Sequence, residues 1–247
     1  MRVTYGITTL PAVLVLALAG CASSGPVDDP GQASDEAALN VQGETYFAIA
    51  ADLRKCASPV CGGWFLERLN RTTTTCHDGT RAGACYTPAL DWSNVNLSAA
   101  TQGKLLDACR RPLSEGVYAI VAGRFARTNH TTPRPELGRF VITEAWLAAG
   151  DTPSAGAFVR VWDNGLRCFA APCPSITEDL LNGPQSVDIA AIDWTPAALT
   201  ERQVATCVAA MATPGGMFIA GDRYTEVVNG TTALGRTSTA AYLRLTD

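Results

Sequence analysis

The second half of the sequence repeats a pattern of residues found in the first half. Two cysteines separated by four residues, one of them proline, occur as Cys56 and Cys61 and again as Cys168 and Cys173. The other matched positions are Ala89 to Trp92 with Ala191 to Trp194, Leu97-Ser98 with Leu199-Thr200, Cys109 with Cys207, Gly123 with Gly221, and Leu137 to Arg139 with Leu234 to Arg236. The shared order predicts an internal duplication, with residues 44–150 as the first repeat and residues 151–247 as the second.

Each repeat predicts the same order of elements, namely three strands, a helix and two strands. The predicted strands are 45–53, 63–69, 85–92, 117–125 and 139–147 in the first repeat and 157–162, 176–181, 187–194, 216–224 and 237–245 in the second. The predicted helices are 99–109 and 201–211, and Thr200 with Gln203 forms a capping-box pattern before the second. The fold class is therefore α+β, mainly β. This order is typical of an OB-type barrel, so we expect two tandem OB-like barrels or, as the alternative, one pseudo-symmetric barrel or sandwich built by both repeats.

Cysteine usage predicts a disulfide-bonded domain. Apart from Cys21, the sequence contains eight cysteines, and an even number in an oxidising compartment indicates disulfides. They are Cys56, Cys61, Cys76, Cys85, Cys109, Cys168, Cys173 and Cys207. No two of them have the Cys-x-x-Cys spacing of a zinc site, so no metal is expected.

The pairing of these cysteines has two symmetric solutions. An insertion in the first repeat carries Cys76 and Cys85 and predicts a hairpin closed by a local bond. Three matched cysteines remain in each repeat, so at least one bond must cross between repeats if all are oxidised. The preferred set is Cys56–Cys61, Cys168–Cys173 and a crossing Cys109–Cys207 bond. The alternative set is Cys61–Cys109, Cys173–Cys207 and Cys56–Cys168. Either set predicts that the two halves pack on each other.

The N-terminal segment predicts export and a lipid anchor. Residues 1–20 contain Arg2 and an apolar run over 10–18, which is too short to span a bilayer and is typical of a signal peptide. Leu18-Ala19-Gly20-Cys21 resembles the bacterial lipobox, which implies a lipid on Cys21 and anchoring in the cell envelope. Residues 22–43 are small and polar and predict a tether of about 26 Å. Residue 22 is not aspartate, which favours the outer membrane.

No catalytic motif and no cofactor-binding loop occurs in the sequence. The formal net charge of −4 is not typical of a protein that binds nucleic acid. His77 and His130 are interpreted as loop residues. Asp91 and Asp193 are expected to cap turns, while the tryptophan after each of them fills core. A cluster of arginines is interpreted as a solvated charged face or, as the alternative, as an anion-binding face for lipopolysaccharide or an acidic glycan. It consists of Arg110, Arg111, Arg124, Arg127 and Arg139.

The stretch from Asp52 to Phe65, together with Cys85-Tyr86 and Asp91-Trp92, resembles a family of uncharacterised cysteine-rich domains in predicted lipoproteins of myxobacteria-type genomes. The resemblance covers most of residues 44–247 and departs at Pro174-Ser175, where the family has two glycines. It implies an envelope location and no activity. We therefore expect a non-catalytic envelope lipoprotein that binds a protein, glycan or lipid, and the alternative is an envelope hydrolase with an unrecognised site.

Overall fold

The structure is a computed structural model that describes residues 45–126 and 137–247. The predicted signal peptide, the predicted lipidation site Cys21, the predicted tether, Arg127 and His130 lie outside these residues. Among the helices of the described part, none has the length and apolar character needed to cross a membrane.

The described chain is mainly β, with two α-helices. In the first half the strands are β1 (Tyr46–Ala51), β2 (Trp64–Arg68), β3 (Thr74–Thr75), β4 (Arg81–Ala82), β5 (Cys85–Thr87), β6 (Leu90–Asp91), β7 (Ala119–Ala126) and β8 (Arg139–Ala148), and the helix is α1 (Ala99–Ala108). In the second half they are β9 (Ala157–Asp163), β10 (Ile176–Leu180), β11 (Ser186–Ile189), β12 (Ala191–Asp193), β13 (Met217–Gly221), β14 (Arg223–Val228), β15 (Thr231–Thr237) and β16 (Ala240–Arg244), with helix α2 (Glu201–Met211). Short 3-10 turns occur at Leu113–Glu115 and Thr195–Ala197.

One curled antiparallel sheet joins both halves into a half-barrel. Its strand order is β11-β10-β9-β13-β16-β8-β7-β1-β2-β5, and the halves meet where β16 pairs with β8. In addition, β6 pairs in parallel with β8 of this sheet. A separate three-stranded sheet has the order β12-β15-β14, and in it β12 pairs in parallel with β15. The sequence predicted either two tandem barrels or one structure built by both repeats. In the structure, one continuous sheet runs through both halves.

The hydrophobic core has three parts because the central strands bury both of their faces. One cluster in the first half contains Phe47, Ile49 and Phe140, and a cluster in the second half contains Val159 and Val161. A third cluster lies between them and takes large side chains from both halves. These are Tyr46, Leu69, Ile120, Trp146, Leu181, Phe218 and Tyr242. The expectation that the halves pack on each other is met by this shared core.

Two asparagines link the two halves through reciprocal hydrogen bonds. Asn70 donates to the carbonyl oxygens of Phe158 (2.7 Å) and Leu181 (2.8 Å), and its Oδ1 accepts from the amide of Phe158 (2.9 Å). Asn182 donates to the carbonyl oxygens of Tyr46 (2.7 Å) and Leu69 (2.9 Å), and its Oδ1 accepts from the amide of Tyr46 (2.9 Å). Both asparagines have positive φ (58° and 60°), a conformation that asparagine tolerates better than most residues. Each half thus supplies one asparagine that satisfies the backbone of the other.

Three disulfides are present, and the predicted crossing bond is wrong. The bonds are Cys56–Cys61, Cys76–Cys85 and Cys168–Cys173, so the alternative symmetric set is also excluded. Cys109 and Cys207 are free and buried. Cys109 belongs to the core cluster of the first half and Cys207 to that of the second, which keeps the two sulfurs apart. The error arose from the assumption that every cysteine is oxidised.

Candidate functional site

The arginines predicted to form one anion-binding face lie in two separate places. Arg110 and Arg111 follow α1, and Arg111 lies beside Tyr118, just before β7. Arg124 and Arg139 lie near the other end of the β7–β8 pair. Arg124 lies six positions after Tyr118 along extended chain, a distance of about 20 Å. Arg127 lies outside the described residues. The four described arginines therefore do not form a single cluster.

Carboxylates of the chain already engage three of these arginines. Arg110 lies 3.3 Å from Asp107, and Arg139 lies 3.3 Å from Asp91. Arg111 donates to Asp151 at 2.8 Å. Its guanidinium also covers the ring of Tyr118 at 3.4 Å from the centroid, and it lines a cleft of about 700 Å³. These pairs oppose an anion-binding role, since an anion would have to displace them.

The first disulfide loop, residues 52–63, connects β1 to β2 and is braced by an ion pair. The buried carboxylate of Asp52 accepts two hydrogen bonds from Arg54, each of 2.9 Å. These hydrogen bonds hold the pKa of Asp52 below its ordinary value. The Arg54 guanidinium lies 5.2 Å from the centroid of the Phe65 ring, a cation–π distance. The Tyr86 hydroxyl donates to the carbonyl of Pro59 at 2.8 Å. Both ends of the loop are thus fixed to the sheet.

The second disulfide loop, residues 164–175, connects β9 to β10 and is braced in the same way. Arg167 donates to both oxygens of Asp163, at 2.9 and 2.6 Å. The hydrogen bond from Arg167, followed by one from the amide of Gly165, lowers the pKa of Asp163 to about 2. Asn229, at the tip of the β14–β15 hairpin, donates to the carbonyl of Ala171 at 3.4 Å. The hairpin therefore supports the second loop from the side.

Exposed apolar side chains are concentrated in these two loops. Seven large apolar residues are well exposed among residues 45–126 and 137–247, and four of them lie in the loops. They are Leu53 and Val60 in the first loop and Leu166 and Phe169 in the second. Phe169 is fully exposed. A contiguous exposed apolar patch is typical of an interaction surface, and the tip of each loop is the candidate for one.

The two loops lie at opposite ends of the molecule. Five antiparallel pairings separate β1 from β9 along the sheet, so these strands run in opposite directions. Asn70 and Asn182 hold the starts of the two strands together, so the strands point away from each other. At about 3.3 Å per residue, the loops that follow them are roughly 30 Å apart. Because of this separation, each loop would form its own ligand site.

A family model matches residues 45–247, and its description is a domain of unknown function, DUF6748. The chain belongs to the DUF6748 family. This finding agrees with the predicted resemblance to an uncharacterised cysteine-rich family. No curated protein matches the sequence. No solved structure matches it either.

Other polar residues of the DUF6748 region have structural roles. Asp91 accepts from the amide of Ser93 and Asp193 accepts from that of Thr195, each at 2.9 Å, so both aspartates cap turns as predicted. Trp92 and Trp194 pack against the core clusters of their halves but are only partly buried, whereas the prediction placed them within the core. His77 is partly buried rather than exposed in its loop. The described residues contain no group of three or more histidine, cysteine, aspartate or glutamate side chains placed to hold a metal.

The apolar loop tips were not predicted as a site. Their signal in the sequence is a large apolar residue beside one bonded cysteine of each loop, namely Val60 and Phe169. The β14–β15 hairpin was not predicted either, since it lies within a region interpreted as one strand and a loop. Asn229-Gly230 is a strong hairpin-turn signal and marks this hairpin in the sequence.

Proposed function

We propose that this chain is a lipid-anchored bacterial envelope protein whose two disulfide loops bind a partner protein. The observation that carries the binding role is the concentration of exposed apolar side chains in the loops. Each loop projects apolar tips rather than enclosing a pocket, and this favours a protein surface as the partner. A buried aromatic anchor is a common source of binding energy at such interfaces, and Phe169 can supply one.

The location rests on the N-terminal sequence together with the disulfides. Leu18-Ala19-Gly20-Cys21 supplies the lipidation pattern. Three disulfides support export, because such bonds persist in oxidising compartments and are rare in the cytosol. The absence of aspartate at residue 22 favours the outer membrane. We propose residues 22–43 as the tether that holds the folded part away from the lipid headgroups.

We propose further that each half is an OB-like unit produced by duplication. The support in the first half is the order β1, β2, β5 with β6, α1, β7 and β8, in which β7 pairs with β1 and β6 pairs in parallel with β8. The second half has corresponding pairings, with β13 pairing with β9 and β12 pairing in parallel with β15, while two strands, β15 and β16, take the place of β8. OB-folds use the loop between their first two strands in ligand binding. In both halves that position is occupied by the disulfide loop.

The reciprocal asparagines support the duplication independently. The amide of Leu69 donates to the carbonyl of Tyr46, and the amide of Leu181 donates to that of Phe158, each at 3.1 Å. In both halves the next residue is an asparagine with positive φ that bonds across to the other half. Two unrelated segments would have no reason to share this arrangement.

Site-specific photo-crosslinking tests the binding role. A photoreactive residue is placed at Val60, at Phe169 or at Val208, which is an exposed apolar residue of α2 outside the loops and serves as the matched control. The full-length chain is expressed in a bacterial host and irradiated in intact cells. The proposal expects discrete protein adducts from the loop positions and none from Val208. Equal labelling at all three positions, or no adduct at either loop, would contradict it.

A further inference from the structure

A cleft of about 480 Å³ lies in the second half, away from the tip of the disulfide loop. Its walls come from β9, from β10 and from the last residue of α2 with the segment that follows it. The lining side chains from the strands are Arg160, Trp162, Asp163 and Asp179, and the segment from Met211 to Gly215 forms the other wall. This volume falls within the range of small-molecule sites, about 300–1,000 Å³.

Two polar groups in this cleft face each other without forming an ion pair. Arg160 and Asp179 are directly opposite in the β9–β10 register, so their side chains share one face of the sheet. In the part of the chain that the structure describes, the Asp179 carboxylate has neither a hydrogen bond nor an ion pair. Over the same residues, the buried Nε of Arg160 has no hydrogen-bond partner. A buried donor without a partner is costly. The ion pair that this register would allow is absent, which leaves the Asp179 carboxylate available to a ligand in the cleft.

Two aromatic residues of the shared core hold the Arg160 side chain in place. Its guanidinium donates to the Tyr46 hydroxyl and lies 5.7 Å from the ring centroids of both Tyr46 and Phe218. These contacts come from the core shared by the halves, so the guanidinium is preorganised before a ligand binds. Preorganised polar groups lose little entropy on binding.

The charges of the cleft balance, which points to a neutral ligand. Arg167 neutralises Asp163 through two hydrogen bonds, and Arg160 compensates the negative charge of Asp179. Trp162 adds a large partly buried aromatic ring to the same wall. A sugar ring matches this set, because its C–H face can pack on an aromatic ring while its hydroxyls donate to a carboxylate and accept from a guanidinium.

The first half lacks the arginine and the tryptophan of the cleft at the matching positions, although Glu67 matches Asp179. The amide of Leu69 donates to the carbonyl of Tyr46 as that of Leu181 donates to Phe158, which sets Ala48 and Ala50 in the places of Arg160 and Trp162. Arg160 and Trp162 are therefore not required by the fold, since a similar strand forms with alanine at both positions.

We propose that this cleft binds a neutral saccharide. The site is separate from the loop tips and does not depend on the protein partner proposed above. The ligand class is an uncharged sugar that offers an apolar ring face and adjacent hydroxyls, as in the oligosaccharides of envelope polymers.

Calorimetric titration of the purified full-length chain tests this site. The neutral probes are the trisaccharide of N-acetylglucosamine, maltotriose and cellotriose. Trigalacturonate is the charged comparison. The proposal expects binding of at least one neutral probe, at least tenfold weaker in Trp162→Ala and in Asp179→Asn. The matched controls are Val227→Ala, an exposed apolar residue on β14 of the same half, and Asp107→Asn, an exposed carboxylate on α1. Both controls should bind like the unchanged protein.

Thermal melting of each variant separates loss of the site from loss of the fold. Asp179→Asn is isosteric and keeps the strand, so it tests the site even if Trp162→Ala unfolds. Binding of no neutral probe, preference for trigalacturonate, or unchanged affinity in a folded Asp179→Asn variant would overturn the proposal. Because the loop proposal is tested by crosslinking, failure of one experiment leaves the other standing.

Discussion

The two halves of the molecule fill one matching position in opposite ways. In the first half, β2 places Leu66 fully buried in an apolar core. In the second half, β10 places Glu178 at the matching position, also fully buried, where it pairs with Arg223 and Arg236. Arg236 is itself buried and also donates to the carbonyl of Gly221 at 2.6 Å. The same strand arrangement is therefore compatible with a hydrophobic residue or an ion network.

The difference shows what the ion network adds. Arg223 and Arg236 come from β14 and β15, the hairpin whose tip supports the second disulfide loop. Glu178 thus connects this hairpin to strand β10 through ion pairs, whereas Leu66 contributes only apolar packing to the core of the first half. Buried ion pairs are weak sources of net stability, but they fix the partners that they join. We infer that the network positions the hairpin under the loop.

The largest expected effect is on Glu178. Replacing it with Gln leaves Arg236 buried without its countercharge and should lower the free energy of unfolding by about 3–5 kcal/mol. Leu66→Ala should cost about 2–5 kcal/mol through the cavity that it leaves. The double variant Glu178→Leu with Arg236→Met should recover most of the loss, because it recreates the apolar filling of the first half. Urea unfolding followed by circular dichroism measures all three.

Acid titration sharpens the same comparison. Burial raises the pKa of Glu178, but the hydrogen bonds from Arg236 and Arg223 outweigh it, so the pKa lies below its ordinary value. A lowered pKa gives stability that is present above the ordinary value, about 4.3, and is lost as the pH falls through the folded-state value. Glu178→Gln should therefore weaken the loss of stability in acid. A steeper acid dependence in that variant would contradict the assigned ion network.

Thiol reactivity compares the two free cysteines. Burial raises the pKa of Cys109 to about 12 and that of Cys207 to about 11. The nucleophile is the thiolate, so near pH 8 both should react with a maleimide about 100-fold or more slowly than an exposed cysteine, and Cys109 more slowly than Cys207. Denaturation without reductant should release two thiols. If no free thiol were found after denaturation, the result would support the crossing Cys109–Cys207 disulfide, which the structure excludes.

Asn70 and Asn182 are expected to contribute equally to the free energy of unfolding. Asn70→Ala and Asn182→Ala each leave buried backbone groups without partners and place alanine at positive φ. Each should lower the free energy of unfolding by about 2–4 kcal/mol. Asn229→Ala is the control, since Asn229 also has positive φ (52°) but lies exposed at the hairpin tip. Losses at Asn70 and Asn182 that differ by more than about 2 kcal/mol would argue against equivalent halves.

The smallest expected effects are at the helix caps. Thr200 forms a capping box with Gln203, and Thr200→Ala should cost about 1–2 kcal/mol. Ser98 accepts from the amide of Thr101 at 3.3 Å, while Asp247 accepts from the amide of Ser98. Ser98→Ala should cost about 1 kcal/mol. Thermal melting measures both, and an equal cost for exposed Thr206→Ala within α2 would show that capping is not the cause.

Local signals in the sequence predicted most elements and little of the site. Helix α2 begins and ends where predicted because Thr200 and Gln203 act within one turn. The Cys76–Cys85 hairpin is likewise local. By contrast, the meeting of Arg160 with Asp179 depends on strand register, and the free state of Cys109 depends on which core its helix packs against. Such features come from tertiary packing, which residue spacing does not encode.

Export and lipidation underlie the proposed role, and intact-mass analysis of the chain tests them directly. The chain is purified from the membrane fraction of an expressing bacterium without reductant, alongside a Cys21→Ala variant. The account predicts a polypeptide that begins at residue 21, carries the mass of attached acyl chains, and holds three disulfides and two free thiols. A water-soluble chain that retains residues 1–20, or one with all eight remaining cysteines reduced, would contradict it.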